Sequence, residues 1–304
     1  MDKIKKWQNH IGPILDFKNG FDVIECETCG FKHIVPIPTQ EELASYYKTE
    51  FVGKRPQLID KIKEDLEWWK IVYAEKYDFF ERYFPDKNRR LLDVGCGLGY
   101  FLKEGKDRGW DVIGIEPSEQ SVKHAQGFGL KVLNANVYDE EVKHLARFNV
   151  VYMHEVLEHL PDPIEALSTC YDLLVPGGLL CLVVPNDYNI LQNMLRDSMG
   201  FKPWWLGPPE HINYFDIVSL QQLVETRGFE IILKTTTFPM ELFLLMGQNY
   251  VGNNQLGREC HTHRKNFELN LQKGGLGETK NEFYKIFAEK GIGREVVLIA
   301  RKKL

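Results

Sequence analysis

The sequence predicts a doubly wound α/β fold with a mainly parallel, seven-stranded sheet, and three observations support this prediction. Between residues 89 and 185, short apolar runs alternate with helix-forming stretches, a pattern typical of parallel strands joined by helices. Two later β-branched runs, at 229–238 and 295–300, can complete the edge of the same sheet. Hydrophobic residues make up 43% and charged residues 27% of the 304-residue chain, which is ordinary for a globular protein with a proper core.

The elements of this sheet follow from the apolar pattern. The five expected parallel strands are Leu91–Val94, Val112–Glu116, Lys131–Leu133, Val150–His154 and Leu180–Val184. The expected connecting helices are Tyr100–Arg108, Glu119–Phe128 and Ile164–Leu174, the last of which should end at a Pro-Gly-Gly break. Asp216 can cap a further helix that runs through Arg227, where Gly228 would end it.

The parts outside this sheet give the predicted domain organisation. Apolar side chains at helical spacing predict one amphipathic helix over 57–84. We expect its aromatic stripe, with Trp68 and Trp69, to be core, and contact of either tryptophan with a cofactor is the less favoured alternative. We divide the chain into a small N-terminal module at 1–50, a linking helix at 51–88 and an α/β domain at 89–304. A helical insertion at 239–292 precedes the last strand, where it can cover a substrate at the carboxyl ends of the strands.

Charge and composition narrow the class of partner. The 38 basic and 43 acidic residues give a net charge of −5, so no cationic field is available to hold a nucleic acid. The longest apolar stretch, 173–185, is interrupted by Pro-Gly-Gly and is too short to span a bilayer, and no secretory signal is evident. We expect a cytoplasmic protein whose partner is a small molecule, and the six cysteines do not suggest a disulfide framework. The oligomeric state is not predicted.

The strongest local signal is LLDVGCGLGYF at residues 91–101. A buried strand ends near Asp93, and glycines at 95, 97 and 99 let the backbone pass close to a ligand. A dinucleotide fingerprint would need a glycine or alanine at Tyr100, and a pyrophosphate would be repelled by Asp93, which suits an ammonium instead. Glu116 ends the second strand, where a carboxylate can accept hydrogen bonds from both hydroxyls of a ribose.

Four separated motifs, DVGCGLGYF, GIEPSEQSVKHA, MHEVLEHLPDP and LVPGGLLCLVVPN, resemble those of the class I S-adenosylmethionine-dependent methyltransferases. The resemblance covers most of residues 89–238 and implies a Rossmann-like fold with S-adenosylmethionine as cofactor. It implies that Asp93, Gly95 and Gly97 cradle the methionine part and that Glu116 binds the ribose. It further implies that Asn136 meets the adenine edge and that His154 and Glu155 flank the sulfonium. The whole expected cofactor set is Asp93, Gly95, Cys96, Gly97, Gly99, Glu116, Pro117, Asn136, His154 and Glu155. Asparagine stands at 136 and 149, where such proteins often carry aspartate.

The run HEVLEH supports two hypotheses. Glu155, Glu158 and His159 fall on one turn, because residues three and four apart share a helical face. This region also resembles ubiquinone-pathway O-methyltransferases, in which matching residues can hold a divalent cation. Since many related methyltransferases carry the same residues without a metal, we favour a hydrogen-bonded structural pair over a metal site.

The segment WWLGPPEHINYFD at 204–216 should lie at the rim of the active site. Its P-E-H-x-x-Y-F pattern is similar to that of methyltransferases that act on sugars and other small molecules, in which this histidine lies near the acceptor. His211 is the candidate general base, presented together with Glu210, and Tyr214 and Trp205 would be walls of the acceptor pocket. The alternatives are a histidine that bridges loop backbone and aromatic residues that pack in the core.

The N-terminal module contains a C-x₂-C turn at Cys26 and Cys29. With His33 downstream and His10 upstream, it predicts a closed zinc site of His10, Cys26, Cys29 and His33. The segment resembles the small zinc-binding modules ahead of some sugar C- and O-methyltransferases, which usually have more cysteines. The alternative is a metal-free turn, and a redox dithiol lacks the expected strand-to-helix context.

Two further groups lie in the insertion. The cluster Cys260, His261 and His263 has no clear fourth ligand, so we interpret it as a polar helix face. The arginines Arg258, Arg264 and Arg294 could bind an anionic acceptor such as a nucleotide-sugar phosphate, and ordinary surface arginines are the alternative.

Together these patterns predict an enzyme that transfers the methyl group of S-adenosylmethionine to a hydroxyl, or a carbon, of a small molecule. A sugar or nucleotide sugar as acceptor rests on resemblance alone. The alternatives are an NAD-dependent oxidoreductase, disfavoured by the glycine spacing, and a non-catalytic binding protein. An RNA methyltransferase is disfavoured by the net charge of −5.

Overall fold

The computed structural model describes residues 10–46, 58–86 and 88–303. Residues 1–9 and the predicted boundary near residue 50 lie outside the described residues. The strands are β1 Ile14–Lys18, β2 Phe21–Glu25, β3 Lys32–Val35, β4 Arg90–Val94, β5 Asp111–Ile115, β6 Lys131–Leu133, β7 Phe148–His154, β8 Leu174–Pro185, β9 Asn213–Tyr214, β10 Phe229–Thr236 and β11 Glu295–Lys302. The helices are α1 Gln40–Tyr46, α2 Leu58–Glu64, α3 Leu66–Tyr83, α4 Tyr100–Asp107, α5 Glu119–Gln126, α6 Glu140–Lys143, α7 Pro163–Leu173, α8 Ile190–Met199, α9 Ile217–Thr226, α10 Glu241–Leu245, α11 Asn254–Lys273 and α12 Gly277–Glu289.

The central sheet has seven strands in the order β10-β11-β8-β7-β4-β5-β6. The strands β8, β7, β4, β5 and β6 pair in parallel with one another in this order. Strand β11 runs antiparallel to both β8 and β10. Side chains of α7, α9 and α12 join the apolar core on one face, and side chains of α3, α4 and α5 join the core on the other. Because both faces are covered, the middle residues of the parallel strands are apolar on both faces. The predicted fold class is confirmed.

The N-terminal strands form a separate four-stranded sheet that is completed by a distant segment. Its order is β1-β2-β3-β9, and β9 pairs Tyr214 with Lys32 and Asn213 with His33. The segment 204–216 therefore supplies an edge strand to the N-terminal module. An apolar cluster that includes Val23, Ile34 and Tyr214 lies beneath this sheet.

Two expectations about local structure are wrong. The predicted single helix over 57–84 is interrupted at Asp65, a buried residue with φ of −97° and ψ of 4° that separates α2 from α3. The Pro-Gly-Gly sequence lies inside β8 instead of before it. The β7 pairing shifts there, since Phe148 pairs with Leu174 and Val150 with Leu179, so that a bulge accommodates the proline and glycines.

The segment between β10 and β11 forms α10, α11 and α12, and α11 packs against α3. The Trp68 indole N–H donates to Glu268, and the Tyr284 hydroxyl donates to the same carboxylate over 2.8 Å. The Arg258 guanidinium donates to both oxygens of Asp65 over 2.7 and 2.9 Å. The insertion is thus fixed to the start of α3. No helix within the described ranges has the length and apolar character needed to cross a membrane.

Candidate functional site

The loop after β4 is a backbone cradle built from glycines. Gly95, Gly97 and Gly99 have φ of 73°, 51° and 82°, in the left-handed region that favours glycine. A Cβ on Gly95 would lie 2.4 Å from Val156 Cγ2. The N–H groups of Gly95 and Cys96 both donate to the Ile115 carbonyl, over 2.8 and 3.1 Å, and this fixes the loop against β5.

Glu116 follows β5 and ties this loop to the next one. Its Oε2 accepts from the Gly97 N–H over 3.0 Å, and its Oε1 accepts from the Ser118 N–H over 2.8 Å, across Pro117. Burial raises the pKa of Glu116, although these two N–H groups act in the opposite direction. The carboxylate is therefore held at the carboxyl edge of the sheet, beside the glycine cradle.

Asp93 lies beneath the cradle with 3% of its surface exposed. Burial raises its pKa well above the usual value, and the neighbouring carboxylate of Glu116 raises it further. A cationic group placed between these carboxyls would relieve both effects. The site is thus suited to a ligand that carries an ammonium group.

Three other expected cofactor residues lie along the same edge. The Asn136 side-chain oxygen accepts from the Tyr138 N–H over 2.9 Å, so a local turn orients this amide. His154 ends β7, and Glu155 follows with φ of 52° and donates its N–H to the Val183 carbonyl over 2.8 Å. The structure brings all three to the carboxyl ends of the parallel strands.

Trp69 is a neighbour of this edge, although the sequence favoured a core position for it. We expected both tryptophans in the core, but only Trp68 is fully buried. Trp69 is partly exposed, stacks on Tyr73 with ring centroids 5.4 Å apart, and lies 5.7 Å from the His154 ring. Adjacent helical residues point about 100° apart, so two consecutive tryptophans could not share one face.

The segment 204–216 is locked onto the turn that follows β7. The Ile212 N–H donates to the Glu158 carbonyl over 2.8 Å, and the Asn213 side chain donates to the carbonyls of Leu157 and Leu160. The ring of His211 lies edge-on to the ring of His159, with centroids 4.8 Å apart. The His159 Nδ1–H donates to the Glu210 carbonyl over 2.7 Å. Two histidines that are distant in sequence are thereby brought together.

Tyr214 and Trp205, which we expected as walls of the acceptor pocket with core packing as the alternative, are both buried. Tyr214 is fully buried, and its hydroxyl accepts from the Gly207 N–H over 3.3 Å. Trp205 is 6% exposed, and its ring packs against Tyr188. Because β9 completes the N-terminal sheet, both aromatic side chains pack in the core beneath it. The structure favours the core-packing alternative.

Glu158, His159 and His211 place one ligand atom each within 4.8 Å of one another. Glu155 is not part of this group, which differs from the expected set of Glu155, Glu158 and His159. Burial raises the pKa of Glu158 well above its usual value, and the Glu155 carboxylate adds to the effect. His159 Nε2 and Glu158 Oε1 are 3.8 Å apart, beyond hydrogen-bond distance, so these two atoms do not form the favoured hydrogen-bonded pair.

The four residues of the expected zinc site converge. His10 Nδ1 lies 3.4 Å from Cys26 Sγ, 3.3 Å from Cys29 Sγ and 2.9 Å from His33 Nε2. Metal bonds of about 2.0 to 2.3 Å in a tetrahedron give ligand separations of about 3.3 to 3.8 Å, which include the two nitrogen–sulfur distances, whereas the His10–His33 distance is shorter. The His33 Nδ1–H donates to the Ile34 carbonyl over 2.9 Å, which leaves Nε2 as its ligand atom. The donor set fits zinc.

The second histidine and cysteine cluster does not converge. His261 Nε2 lies 3.3 Å from Asp65, whereas the Cys260 thiol contacts Gln248. Arg258 is engaged by Asp65, and the Arg264 guanidinium lies over the Trp68 ring and near Glu268. These two arginines therefore stabilise the insertion and are not placed to bind an anion.

Comparisons with known proteins agree with this geometry. Residues 68–234, more than half of the chain, match the family model described as "Methyltransferase domain". The ubiquinone biosynthesis O-methyltransferase of Actinobacillus pleuropneumoniae serotype 7 (strain AP76) is 28% identical over 163 residues, which cover 46% of this chain and 69% of that protein. The enzyme of the same name from Caulobacter sp. (strain K31) is 36% identical over 133 residues, which cover 42% and 53%.

Solved structures show the same fold. The plantazolicin methyltransferase BamL, in complex with a triazolic desmethylPZN analogue and SAH, has a TM-score of 0.53 at 13% identity and covers 86% of this chain and 94% of that one. The plantazolicin methyltransferase BpumL, in complex with SAH, has a TM-score of 0.50 at 16% identity, with the same coverage. At these identities the likeness concerns the fold alone. From the family match, the sheet topology and the glycine cradle, we conclude that the chain belongs to the methyltransferase domain family and is a class I S-adenosylmethionine-dependent methyltransferase.

Proposed function

We propose that this enzyme methylates a hydroxyl, or a carbon, of a small molecule and that His211 takes the proton from the acceptor. The observation that carries this proposal is the attachment of the 204–216 segment to the turn after β7, which holds His211 beside His159. A histidine with a pKa near neutrality can serve as a general base. The activity named for the ubiquinone-pathway relatives favours oxygen over carbon as the methylated atom.

The cofactor-binding residues are part of the proposal. The glycine cradle would hold the methionine part beside Asp93, whose buried carboxyl suits the cofactor's ammonium. Glu116 would accept hydrogen bonds from the ribose hydroxyls, in exchange for one of its backbone donors. Asn136 would meet the adenine, and His154 with Glu155 would flank the sulfonium. When bound, S-adenosylmethionine supplies an electrophilic methyl group.

The chain's own residues would position the acceptor and accept its proton. Glu210 acts through its carbonyl, which fixes the His159 ring that His211 contacts. Holding acceptor and donor in line accounts for most of the rate enhancement in such transfers. A sugar or nucleotide sugar is the acceptor class we propose.

A second candidate is supported by the convergence of Glu158, His159 and His211. A divalent cation held by these residues would coordinate the acceptor oxygen and lower its pKa. In that arrangement His211 would be a ligand instead of a base. Activity that is abolished by a chelator and restored by Mg²⁺, in protein whose N-terminal zinc is retained, would favour this candidate.

The N-terminal module is proposed to hold one structural zinc ion through His10, Cys26, Cys29 and His33. All four ligand positions are filled by protein side chains, as in closed structural sites. We also propose that the module at 1–50, the linker at 51–88 and the domain at 89–304 are the organisational units of the chain. None of the six cysteines, all of which lie in the described ranges, forms a disulfide, which supports a reducing compartment such as the cytoplasm.

The experiment that tests the proposed base is His211→Asn, assayed with isotopically labelled S-adenosylmethionine and a panel of hydroxylated acceptors. We expect turnover to fall by about 10²- to 10⁴-fold, as is typical for loss of a general base. Affinity for the demethylated cofactor should be retained. His144→Asn is the matched control, because His144 is exposed on the surface. Turnover that is unchanged in His211→Asn would rule out this role.

A further inference from the structure

Four buried side chains near the carboxyl end of β8 carry oxygen atoms that receive no hydrogen bond within the described part of the chain. They are Asn186 Oδ1, Asp187 Oδ2, Gln192 Oε1 and Glu241 Oε2. Each of these residues is at most 1% exposed. Buried acceptors are almost always paired in native proteins, so a group of four requires donors from elsewhere.

The four side chains belong to one cluster, which we call the acceptor-rich cluster. Gln192 and Asn189 both donate their amides to Glu241 Oε1, over 3.0 and 3.3 Å, which leaves Oε2 without a donor. Asn186 donates its amide to the carbonyls of Gly291 and Gly293, just before β11. The cluster therefore joins the end of β8, the start of α8, the first helix of the insertion and the start of β11.

Arg294 lies in the same cluster. Among the described residues, none forms a hydrogen bond or ion pair with its guanidinium. Burial lowers its pKa, but the surrounding carboxylates of Asp187, Glu241, Glu295 and Glu155 outweigh this and raise it. The guanidinium is thus a charged donor surrounded by carboxylates that do not contact it directly.

The cluster is continuous with the proposed site of methyl transfer. Glu155 acts electrostatically on both Arg294 and Glu158, and Asp187 also acts on Glu158. Asn186 and Asp187 directly follow β8, the sheet neighbour of β7, which ends at His154. In open α/β sheets, ligands bind beyond the carboxyl ends of the strands.

We propose that the acceptor-rich cluster recognises the methyl acceptor, and that the acceptor is rich in hydroxyl or ammonium donors, as a sugar or an aminosugar is. This inference rests on the proposed function and specifies the substrate class for that site. None of the four oxygens receives a hydrogen bond from a described residue, so a ligand that brings several O–H or N–H donors can satisfy them. An aromatic phenol with one or two hydroxyls would leave at least two of them unpaired. A phosphate inside the cluster would meet an excess of carboxylates, so only the sugar part of a nucleotide sugar would occupy the cluster.

The test measures binding of D-glucose, D-glucosamine, catechol and inorganic phosphate to the full chain saturated with S-adenosylhomocysteine, by calorimetry. We expect the two sugars to bind and the other two probes to bind at least about tenfold more weakly. Gln192→Leu and, separately, Asp187→Asn should each weaken sugar binding by about tenfold or more. Gln222→Leu, on the exposed face of α9, is the matched control and should have no effect.

The outcomes separate the hypotheses. Tighter binding of glucosamine than of glucose would identify an ammonium as the favoured donor, and equal binding would identify hydroxyls; both support the inference. If S-adenosylhomocysteine binds but neither sugar does at about 100 mM, ordered waters satisfy the cluster and the inference is overturned. Sugar binding that neither variant weakens also overturns it. If S-adenosylhomocysteine itself fails to bind, the proposed cofactor site fails first. Retained cofactor-product affinity in each variant shows that it is folded.

Discussion

Replacing Asp187 by asparagine should change how the stability of the protein depends on pH. Asp187 is 1% exposed, and burial raises its pKa from a usual 3.8 to about 7; Arg294 counteracts this shift and Glu241 adds to it. Its ionisation is therefore easier in the unfolded chain than in the folded one. Asparagine has nearly the same shape and does not titrate, so the variant isolates the cost of this buried charge.

The size of the effect follows from the shift of about three pKa units, which corresponds to about 4 kcal/mol. Folding raises the pKa of Asp187, so the folded protein has its full stability below the pKa of this group in the unfolded chain, where the carboxyl is neutral in both states. That part of the stability is lost as the pH rises through the folded pKa of about 7. Relative to wild type, the free energy of unfolding of Asp187→Asn should therefore rise by about 4 kcal/mol between acid and mildly alkaline pH.

Urea denaturation across this pH range measures the difference directly. The control is Asp216→Asn, which removes the charged cap of α9. The pKa of Asp216 is lowered, because the Ser219 N–H and the Lys32 ammonium outweigh the effect of burial. Asp216 stays ionised in both states above about pH 5, so its variant should be less stable than wild type by a constant amount. If the unfolding free energies of Asp187→Asn and wild type run parallel with pH, the buried-charge account is wrong.

Three other substitutions test separate parts of the molecule. Glu116→Gln should weaken binding of S-adenosylmethionine by about 10- to 100-fold, because the ribose loses its charged acceptor, and an unchanged calorimetric Kd would contradict this role. Cys26→Ser should release one zinc ion per chain, as measured by mass spectrometry of the purified protein, whereas a wild type that already lacks zinc would exclude the site. Gly105→Ala should destabilise the fold by about 1 to 3 kcal/mol in thermal denaturation, since its Cβ would lie 2.2 Å from Tyr77 Oη; an unchanged Tm would contradict the packing of α3 on α4.

The central sheet could be predicted because the sequence signals for its strands lie within a few neighbouring residues. Each parallel strand is a short apolar run bounded by glycine or by a helix signal, and the glycine cradle has a fixed spacing after Asp93. The closely spaced Cys26 and Cys29 likewise indicated a separate N-terminal module. Within this sheet, the structure differs from the prediction only in the limits of the strands and in the Pro-Gly-Gly bulge. The bulge could not be predicted because it depends on how β8 pairs with β7.

The remaining features depend on contacts between distant residues. The pairing of β9 with β3 joins Tyr214 to Lys32, and nothing near Tyr214 in the sequence marks it as an edge strand. Arg258 resembled a surface anion binder because its partner, Asp65, lies 193 residues away. The acceptor-rich cluster was missed for the same reason, since its members come from four elements and have no common spacing.

The most direct test of the cofactor assignment is a calorimetric titration of the purified protein with S-adenosylmethionine and S-adenosylhomocysteine, with NAD as the control. The glycine cradle, Asp93 and Glu116 predict one site per chain with micromolar affinity for either adenosyl compound, and no binding of NAD. The absence of adenosyl binding by the folded protein, or saturable binding of NAD, would contradict the cofactor site described above.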